Sequence, residues 1–191
     1  MKKIYFDLDD VLVDTSAQTF LFHGLDDPFG DPKNCGRRDI SKIFNMSWED
    51  YWDALPQDFW EKIPKMPWCN QSIKIAEELV GPSNVYFLSS PIPNGVCSAG
   101  KQIWVNKNFP SYKGRLILAH EKFAVVGDDG LLIDDSQDNE REFISRNKDW
   151  NFVLFPSYQN ELHEFVSLMY REPDIAVNLV KNSIEDFIKT S

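Results

Sequence analysis

The feature that most constrains the fold is an alternation of short apolar runs with segments of helical spacing. Five runs have the length and composition of buried strands, at residues 3–8, 85–88, 115–119, 131–133 and 152–155. Helical spacing marks residues 71–80, which end at the stop signal Gly81-Pro82, and also residues 138–147 and 173–190. Short apolar strands that alternate with helices are typical of a parallel sheet covered on both faces. We therefore predict an α/β fold with a doubly wound parallel sheet.

The segment at residues 15–68 departs from this alternation. It contains four of the six tryptophans and several prolines that interrupt regular structure. Within it, Ser47 is placed to cap the start of a helix, with Asp50 in a capping-box position. We predict a small helical cap domain at residues 15–68, inserted after the first strand of a core domain that comprises residues 1–14 and 69–191.

The composition indicates a folded acidic protein rather than a nucleic-acid scaffold. Of the 191 residues, 42% are hydrophobic, which is enough for a core, and 30 acidic against 20 basic side chains give a net charge of −10. A polyanion repels other polyanions, so polymeric nucleic acid and anionic membranes are disfavoured as partners. A small anionic ligand stays compatible with this charge if a local cation reverses the field.

The sequence also predicts a cytoplasmic location. The three cysteines, Cys35, Cys69 and Cys97, are widely spaced and odd in number, which argues against a disulfide framework or a zinc site. No apolar run approaches the ~18 residues of a membrane span, and acidic residues interrupt the first apolar run too early for a signal peptide. A homodimer is compatible with the sequence.

Reactive side chains follow the first strand-like run. Asp7 and Asp9 are two residues apart and therefore project to the same side of an extended chain. Two adjacent carboxylates repel, which raises one pKa unless a cation lies between them. The pair is suited to nucleophile and general-acid roles, or to holding Mg²⁺ through oxygen. Acidic residues also commonly decorate the loop after a strand without any such role.

Polar groups follow the second and third runs as well, and in open α/β sheets such strand ends converge on the ligand. Ser89 and Ser90 offer hydroxyl and backbone N–H groups that can hydrogen-bond a phosphate. Lys122 would neutralise a carboxylate nucleophile together with a phosphoryl group, and a protonated His120 would add a second donor. Taken singly, each of these residues is equally compatible with a turn or a solvated surface.

The fourth run ends in Asp134 and Asp135. Two adjacent carboxylates at the end of a dry apolar strand are costly unless a cation binds there. Asp128 and Asp129 form a competing acidic pair. We favour Asp134 and Asp135, because a glycine on each side marks the other pair as a turn.

The order of these motifs, Asp-x-Asp, Ser, Lys and Asp-Asp on successive strands, resembles the haloacid dehalogenase (HAD) superfamily of phosphotransferases. With LSSP at residues 88–91, LIDD at residues 132–135 and the early helical cap, the chain looks most similar to the 5'(3')-deoxyribonucleotidase family. The resemblance covers about residues 3–136. It implies a Rossmann-like HAD core that carries the cap.

The resemblance implies a role for each motif residue. Asp7 would be the nucleophile that becomes an aspartyl-phosphate, and Asp9 would protonate the leaving alcohol and then activate water. Ser89 would bind the phosphoryl oxygens, with Ser90 beside it, and Lys122 would neutralise Asp7 and the phosphate. These roles agree with the reading from residue chemistry, because phosphoryl transfer needs positioning and charge neutralisation.

The resemblance also implies Mg²⁺ as the cofactor. Asp135 would be its acidic ligand, with Asp134 as a neighbour that acts indirectly or through water. Asp7 would bridge the metal and the phosphate, and the backbone carbonyl of Asp9 would help to hold the metal. Such a metal removes the repulsion between an anionic nucleophile and an anionic substrate.

The chain departs from the family pattern at three places. Asp10 stands where many relatives have glycine, and Ser89 stands where the family has threonine, which preserves the hydroxyl. His120 stands where nucleotidases commonly place arginine. The last difference leaves the strength of phosphate binding, and so the preferred substrate, open.

Aromatic residues of the cap are candidates for the pocket that receives the leaving group. Phe44, Trp48 and Trp60 could stack on a nucleobase, which is worth ~1–3 kcal/mol per base. The alternative is that these rings form the cap's own small core. The i, i+4 spacing of Trp48 and Trp52 favours that alternative.

We therefore predict a Mg²⁺-dependent phosphomonoesterase that hydrolyses nucleoside monophosphates through an aspartyl-phosphate on Asp7, with a small phosphate ester as its partner. A phosphatase for another small phosphate ester, or for a nucleic-acid 3'-phosphate end, is the alternative within the superfamily. A signalling receiver domain is disfavoured because an acidic pair follows Lys122. A non-catalytic metal-binding or partner-binding module is disfavoured because the set of motifs is complete.

Overall fold

Five short strands form one parallel sheet in the computed structural model, which describes residues 1–26, 34–36 and 39–190. The strands are β1 (Lys3–Phe6), β2 (Val85–Ser89), β3 (Leu116–Leu118), β4 (Gly130–Asp134) and β5 (Phe152–Leu154). Their order across the sheet is β3-β2-β1-β4-β5, and every neighbouring pair is parallel. The chain winds in opposite directions from β1, so a crevice for a ligand is expected at the carboxyl end of this central strand.

Alternate residues of β1 face opposite sides of the sheet. Ile4 and Phe6 belong to the larger apolar cluster, whereas Tyr5 belongs to a second cluster on the other face. Burial on both faces explains why this strand is continuous in apolar residues. The prediction of an α/β fold with a parallel sheet is confirmed.

Among the described residues, α-helices cover both faces of the sheet. They are α1 (Thr15–Phe22), α2 (Trp48–Asp53), α3 (Gln57–Lys62), α4 (Cys69–Val80), α5 (Gly95–Asn108), α6 (Lys122–Val125), α7 (Gln137–Ser145), α8 (Val166–Arg171) and α9 (Pro173–Lys189). Helices α4, α5 and α9 contribute to the larger cluster, and α6 and α7 to the smaller one. Within the described part of the chain, no helix is both long enough and apolar enough to cross a membrane.

Local sequence signals explain where several elements begin and end. Helix α2 begins after Ser47, whose hydroxyl accepts a hydrogen bond from the backbone N–H of Asp50 at 3.0 Å, as the capping pattern predicts. Helix α4 ends at Gly81, whose φ of +84° favours glycine. Asp129 forms an ion pair, 3.0 Å long, with Lys3, which is the first residue of β1. The competing acidic pair therefore lies at the edge of the sheet opposite the carboxyl ends of the strands.

The helical segment between β1 and β2 shares its core with the sheet. Its buried Phe20, Tyr51 and Trp60 belong to the same apolar cluster as Phe6 of β1 and Phe87 of β2. Two parts of the predicted cap, residues 27–33 and 37–38, lie outside the described residues. The division into cap and core stays a prediction.

Helix α3 packs on α5 at an unusually close approach. A Cβ atom on Gly100 of α5 would lie 2.4 Å from Trp60 Cβ and 2.8 Å from the carbonyl oxygen of Gln57, so this approach requires glycine. The indole N–H of Trp104 on α5 also donates to the carbonyl of Ile63, just after α3, at 2.7 Å. These contacts fix α3, and with it Trp60, against α5.

Candidate active site

The carboxyl ends of the strands open into one cavity of about 430 Å³. It brings together seven of the residues that the sequence predicts at the strand ends, namely Asp7, Asp9, Ser90, His120, Lys122, Asp134 and Asp135, and two of the predicted aromatic residues, Trp48 and Trp60. Ser89 is fully buried behind the cavity and donates a hydrogen bond to Asp9 at 3.2 Å. The convergence follows from the parallel sheet, because all the strands end at the same edge.

An acidic cluster forms where β1 and β4 end. Asp7, Asp134 and Asp135 each place one carboxylate oxygen within 4.8 Å of the others. Strand pairing puts them side by side, since Phe6 is in register with Ile133 and the backbone N–H of Asp7 donates to Ile133 at 2.9 Å. Asp7 and Asp134 are buried, whereas Asp135 is half-buried.

The buried carboxyl groups resist ionisation. Burial raises the pKa of Asp7 to about 7, with Lys122 opposing the rise and Asp134 and Asp9 adding to it. Burial and its acidic neighbours also raise the pKa of Asp135 well above its ordinary value. A cation bound among these groups would remove the penalty for their negative charges.

The donor set of the cluster suits a hard divalent cation. Asp7 Oδ1 is buried and accepts no well-aligned hydrogen bond from the described residues, although Lys122 Nζ lies 2.9 Å away. The three carboxylates offer the oxygen ligands that Mg²⁺ prefers. No cysteine or histidine, the residues that zinc favours, belongs to the cluster found in the described part of the chain.

Lys122 is the cation that holds the cluster together. It begins α6, and its Nζ lies 2.6 Å from Asp134 Oδ2 and 2.9 Å from Asp7 Oδ1. Burial disfavours its charged form, but the attraction of Asp134 and Asp7 outweighs burial and raises the pKa of Lys122. A permanent positive charge therefore lies beside the Asp7 carboxylate.

Asp134 accepts three hydrogen bonds from the protein. Its Oδ1 accepts from the backbone N–H of Ser136 at 2.8 Å, and its Oδ2 accepts from Lys122 at 2.6 Å and from Asn139 Nδ2 at 3.0 Å. Its oxygens are therefore less available to a cation than those of Asp7 and Asp135. Asp134 fixes the position of Lys122.

A second buried lysine, which the sequence analysis did not identify, holds Asp9. Lys101 on α5 is only 4% exposed, and its Nζ lies 2.5 Å from Asp9 Oδ2, 2.9 Å from Ser89 Oγ and 3.0 Å from the carbonyl of Ser90. Thr15 donates to the other oxygen of Asp9 at 2.8 Å. Burial alone would raise the pKa of Asp9, but Lys101 outweighs burial and lowers this pKa.

Ser89 and Ser90 occupy different environments. Ser89 binds Lys101 and Asp9 rather than facing the cavity. Ser90 lines the cavity, and its hydroxyl donates to the carbonyl of Ala119 at 3.3 Å. The exposed His120 follows Ala119 and lines the same wall. Of the predicted phosphate-binding residues, Ser90, His120 and Lys122 thus line the cavity, and Ser89 does not.

Aromatic side chains form part of the cavity lining, here called the aromatic wall. Trp48, Trp52 and Trp60 line the cavity, and Trp48 remains 44% exposed. The i, i+4 spacing of Trp48 and Trp52 places both on one face of α2. The aromatic wall lies in the same cavity as the charged side chains of the strand ends, here called the charged floor. This combination suits a ligand that is anionic at one end and planar at the other.

Phe44 lies away from this wall. Its ring packs against Phe20, His23 and Tyr51, with centroids 5.2–5.5 Å apart, and it does not line the cavity. The alternative interpretation of the cap aromatics, a local apolar core, therefore describes Phe44. Its position at the end of the turn Ile40–Phe44 directs it toward α1 and α2.

No family model matches the chain, and no curated protein matches it.

Proposed function

We propose that this chain is a Mg²⁺-dependent phosphomonoesterase of the HAD type that hydrolyses nucleoside monophosphates through an aspartyl-phosphate on Asp7. The observation that carries the proposal is the convergence of Asp7, Lys122, Asp134 and Asp135 in one cavity, with Asp9 beside them. A carboxylate nucleophile, a neutralising lysine and a cation site are the parts that phosphoryl transfer requires.

The chemistry divides into two displacements. In the first, a carboxylate oxygen of Asp7 attacks phosphorus, the bond from phosphorus to the leaving oxygen breaks, and Asp9 passes a proton to that oxygen. In the second, water attacks phosphorus, gives a proton to Asp9, and displaces the Asp7 carboxylate, which releases inorganic phosphate. Asp9 takes the proton that it passes to the leaving oxygen from the substrate monoanion, and it gives the proton taken from water to the released phosphate. Both carboxyl groups thereby return to their starting states.

The lysines set the protonation states for these steps. Lys122 lies against Asp7 and neutralises charge where nucleophile and phosphate meet. Lys101 favours the ionised form of Asp9, so the proton for the leaving oxygen must arrive with the substrate. The second pKa of a phosphate monoester is about 6, so the monoanion that carries such a proton prevails below about pH 6.

The residues present fit Mg²⁺. Asp7, Asp135 and the backbone carbonyl of Asp9 would hold it, with Asp134 beside them as the partner of Lys122. When bound, it would neutralise the phosphoryl oxygens and the Asp7 carboxylate together. The protein itself holds the carboxylates close together, and their mutual repulsion costs free energy until a cation is bound.

The aromatic wall supports a nucleotide rather than an aliphatic phosphate ester. Trp48 keeps 44% of its surface exposed at the cavity, where a planar base could cover it. Stacking on such a ring contributes ~1–3 kcal/mol and tolerates different bases. The cavity volume of about 430 Å³ falls within the range of sites for small molecules.

The test is phosphate release from a panel of nucleoside and sugar monophosphates, with Mg²⁺ and with a chelator. We expect release from nucleoside monophosphates that requires Mg²⁺ and falls by at least about 10³-fold in Asp7→Asn. The matched control is Asp128→Asn, which changes an exposed carboxylate at the other edge of the sheet. Unchanged turnover in Asp7→Asn would end the proposal, whereas turnover of sugar phosphates alone would replace the substrate class.

A further inference from the structure

The loop that follows β5 contacts both of the loops that carry the acidic residues. Neither motif spacing nor the resemblance assigns a role to this loop. Within it, the buried Ser157 and Asn160 and the half-buried Gln159 lie next to the ends of β1 and β4. Gln159 also lines the cavity.

Asn160 anchors the loop to the end of β4. Its Nδ2 donates to the carbonyl of Asp135 at 2.9 Å and to that of Phe155 at 2.7 Å. Its Oδ1 accepts from the backbone N–H groups of Ser157 at 3.3 Å and Leu162 at 3.0 Å. All the hydrogen-bonding capacity of a fully buried amide is thus used, which gives the loop one fixed conformation.

Gln159 extends from this anchored loop to the end of β1. Its Nε2 donates to Asp10 Oδ2 at 2.8 Å and to Ser16 Oγ at 2.6 Å. Asp10 also accepts hydrogen bonds from the backbone N–H of Ser16, at 2.8 Å, and from its hydroxyl. The network therefore joins the loop after β5, the loop after β1 and the start of α1.

Asp10 occupies a backbone conformation that needs support. Its φ is +55°, in the left-handed region that a non-glycine residue adopts only at a cost. The backbone N–H of Asp10 donates to the carbonyl of Val13 at 2.8 Å, and the Asp10 carboxylate adds the hydrogen bonds from Ser16 and Gln159. Gln159 is the partner from outside this segment that fixes the carboxylate.

We propose that Gln159 is a positioning residue for the cation site, holding the loop that carries Asp7 and Asp9 at a set distance from Asp135. The carboxylates of the two loops repel each other, so a brace between the loops lowers the cost of bringing them together before a cation binds. The inference rests on the proposed function only for the existence of the cation site.

The donor and the acceptor of the hydrogen bond between Gln159 and Asp10 can be exchanged by two substitutions that leave the net charge of the protein unchanged. In wild type the amide of Gln159 donates and the carboxylate of Asp10 accepts. Gln159→Glu places two carboxylates in contact, and Asp10→Asn removes the charged acceptor that Gln159 and Ser16 share. The double variant Asp10→Asn/Gln159→Glu restores one donor and one acceptor, and Ser16 Oγ can reverse its own role because a hydroxyl both donates and accepts.

The experiment is calorimetric titration of Mg²⁺ into wild type, the two single variants and the double variant, without substrate. We expect each single variant to bind Mg²⁺ about 10-fold more weakly and the double variant to recover most of this loss. Thermal unfolding in chelator measures folding separately, so a weaker site in a folded protein is distinguished from a damaged fold. Gln137→Glu, another cavity-lining glutamine, controls for added charge.

The inference would be overturned if both single variants bound Mg²⁺ as tightly as wild type. It would also be overturned if the loss of Mg²⁺ affinity in the double variant were as large as the two single losses added together. Absence of Mg²⁺ binding in wild type would overturn it together with the cation site. Wild type that binds Mg²⁺ but releases no phosphate from any ester contradicts the proposed function alone. In that case recovery in the double variant still supports the positioning role.

Discussion

At the residue scale, two buried lysines each form ion pairs with different carboxylates of the cavity. Lys122 lies between Asp7 and Asp134, and Lys101 binds Asp9. Each lysine stays charged despite burial because its acidic partners raise its pKa. The division keeps the two carboxylates of the first motif in different states, with the pKa of Asp7 raised and that of Asp9 lowered. This order is the reverse of the one that a carboxylate nucleophile and a proton donor need, so the proposed mechanism requires a cation that ionises Asp7 and a substrate that brings the proton.

Lys101→Met tests this division, because it keeps the length of the side chain and removes the charge. We expect kcat for phosphate release to fall about 100-fold, the scale of a general acid–base contribution. Loss of the cation should raise the pKa of Asp9, so the pH–rate profile should move to higher pH. Mg²⁺ affinity should change by less than about threefold, since Lys101 contacts none of the cluster of Asp7, Asp134 and Asp135.

The matched control is Lys107→Met, on an exposed position of the same helix. It should leave kcat, the pH–rate profile and Mg²⁺ affinity unchanged. A profile for Lys101→Met that coincides with that of wild type would show that Lys101 does not set the protonation of Asp9.

The motif residues at strand ends could be predicted from sequence because their positions follow from strand order alone. Lys101 could not be predicted in this way, since its partner Asp9 is 92 residues away and the lysine lies within a helix. A signal is nevertheless present. Lys101 falls on the same helical stripe as Cys97 and Trp104, where a charged side chain is out of place unless it is paired.

At the scale of elements, the approach of α3 to α5 decides where the aromatic wall lies. The helices meet at Gly100, where the Cβ of any other residue would overlap with Trp60. Trp60 is therefore held beside Lys101, whose Nζ lies 5.3 Å from the centre of its ring. The contact at Gly100 therefore positions Trp60 of the aromatic wall and Lys101 of the charged floor relative to each other.

Gly100→Ala should therefore destabilise the protein, although alanine ordinarily favours a helix. The added methyl would lie 2.4 Å from Trp60 Cβ and 2.8 Å from the backbone of Gln57, and neither atom is the flexible end of a side chain. We expect a loss of about 1–3 kcal/mol in the free energy of unfolding, from overpacking, measured by urea denaturation. KM for a nucleotide should rise more than kcat falls, because the wall moves and the carboxylates stay.

Gly95→Ala is the control for the same substitution in the same helix, since nothing lies within 4 Å of the added methyl. It should leave the urea midpoint unchanged or raise it slightly. Equal stability of the two variants would contradict the close-contact account of α3 and α5.

Each predicted run overlaps an observed strand. The central strands β1 and β4 were predictable at this scale because both their faces are buried. Helix α2 was predictable from its Ser47 cap. The packing of residues 15–68 was not, because short helices interrupted by prolines have no periodicity that reveals their partners. The role of Gln159 was hidden for a similar reason, as its partner Asp10 is 149 residues away.

At the scale of the whole molecule, the acidic cavity links folding stability to pH and to divalent cations. Asp7 and Asp10 are buried with pKa values of about 7, against an ordinary value of 3.8. The folded state therefore binds more protons than the unfolded state between about pH 4 and pH 7. Their stabilising contribution is complete below the unfolded pKa and is lost as pH rises through about 7.

In chelator, we therefore expect the unfolding midpoint to fall between pH 5.5 and pH 8, by an amount equivalent to about 2 kcal/mol for each of the two carboxyl groups. Added Mg²⁺ should raise the midpoint more at pH 8 than at pH 5.5, because the carboxylates are then ionised. Differential scanning calorimetry at both pH values measures this. Asp7→Asn should flatten the dependence, and a midpoint that rises with pH in chelator would contradict the buried-carboxylate account.

The most direct measurement is chemical trapping of the phosphorylated carboxylate during turnover. Protein quenched while hydrolysing a nucleoside monophosphate with Mg²⁺ is treated with borohydride, which reduces an acyl phosphate to an alcohol, and its peptides are analysed by mass spectrometry. The account predicts reduction at Asp7, dependent on both substrate and Mg²⁺. Phosphate release accompanied by reduction at another residue, or at none, would contradict it.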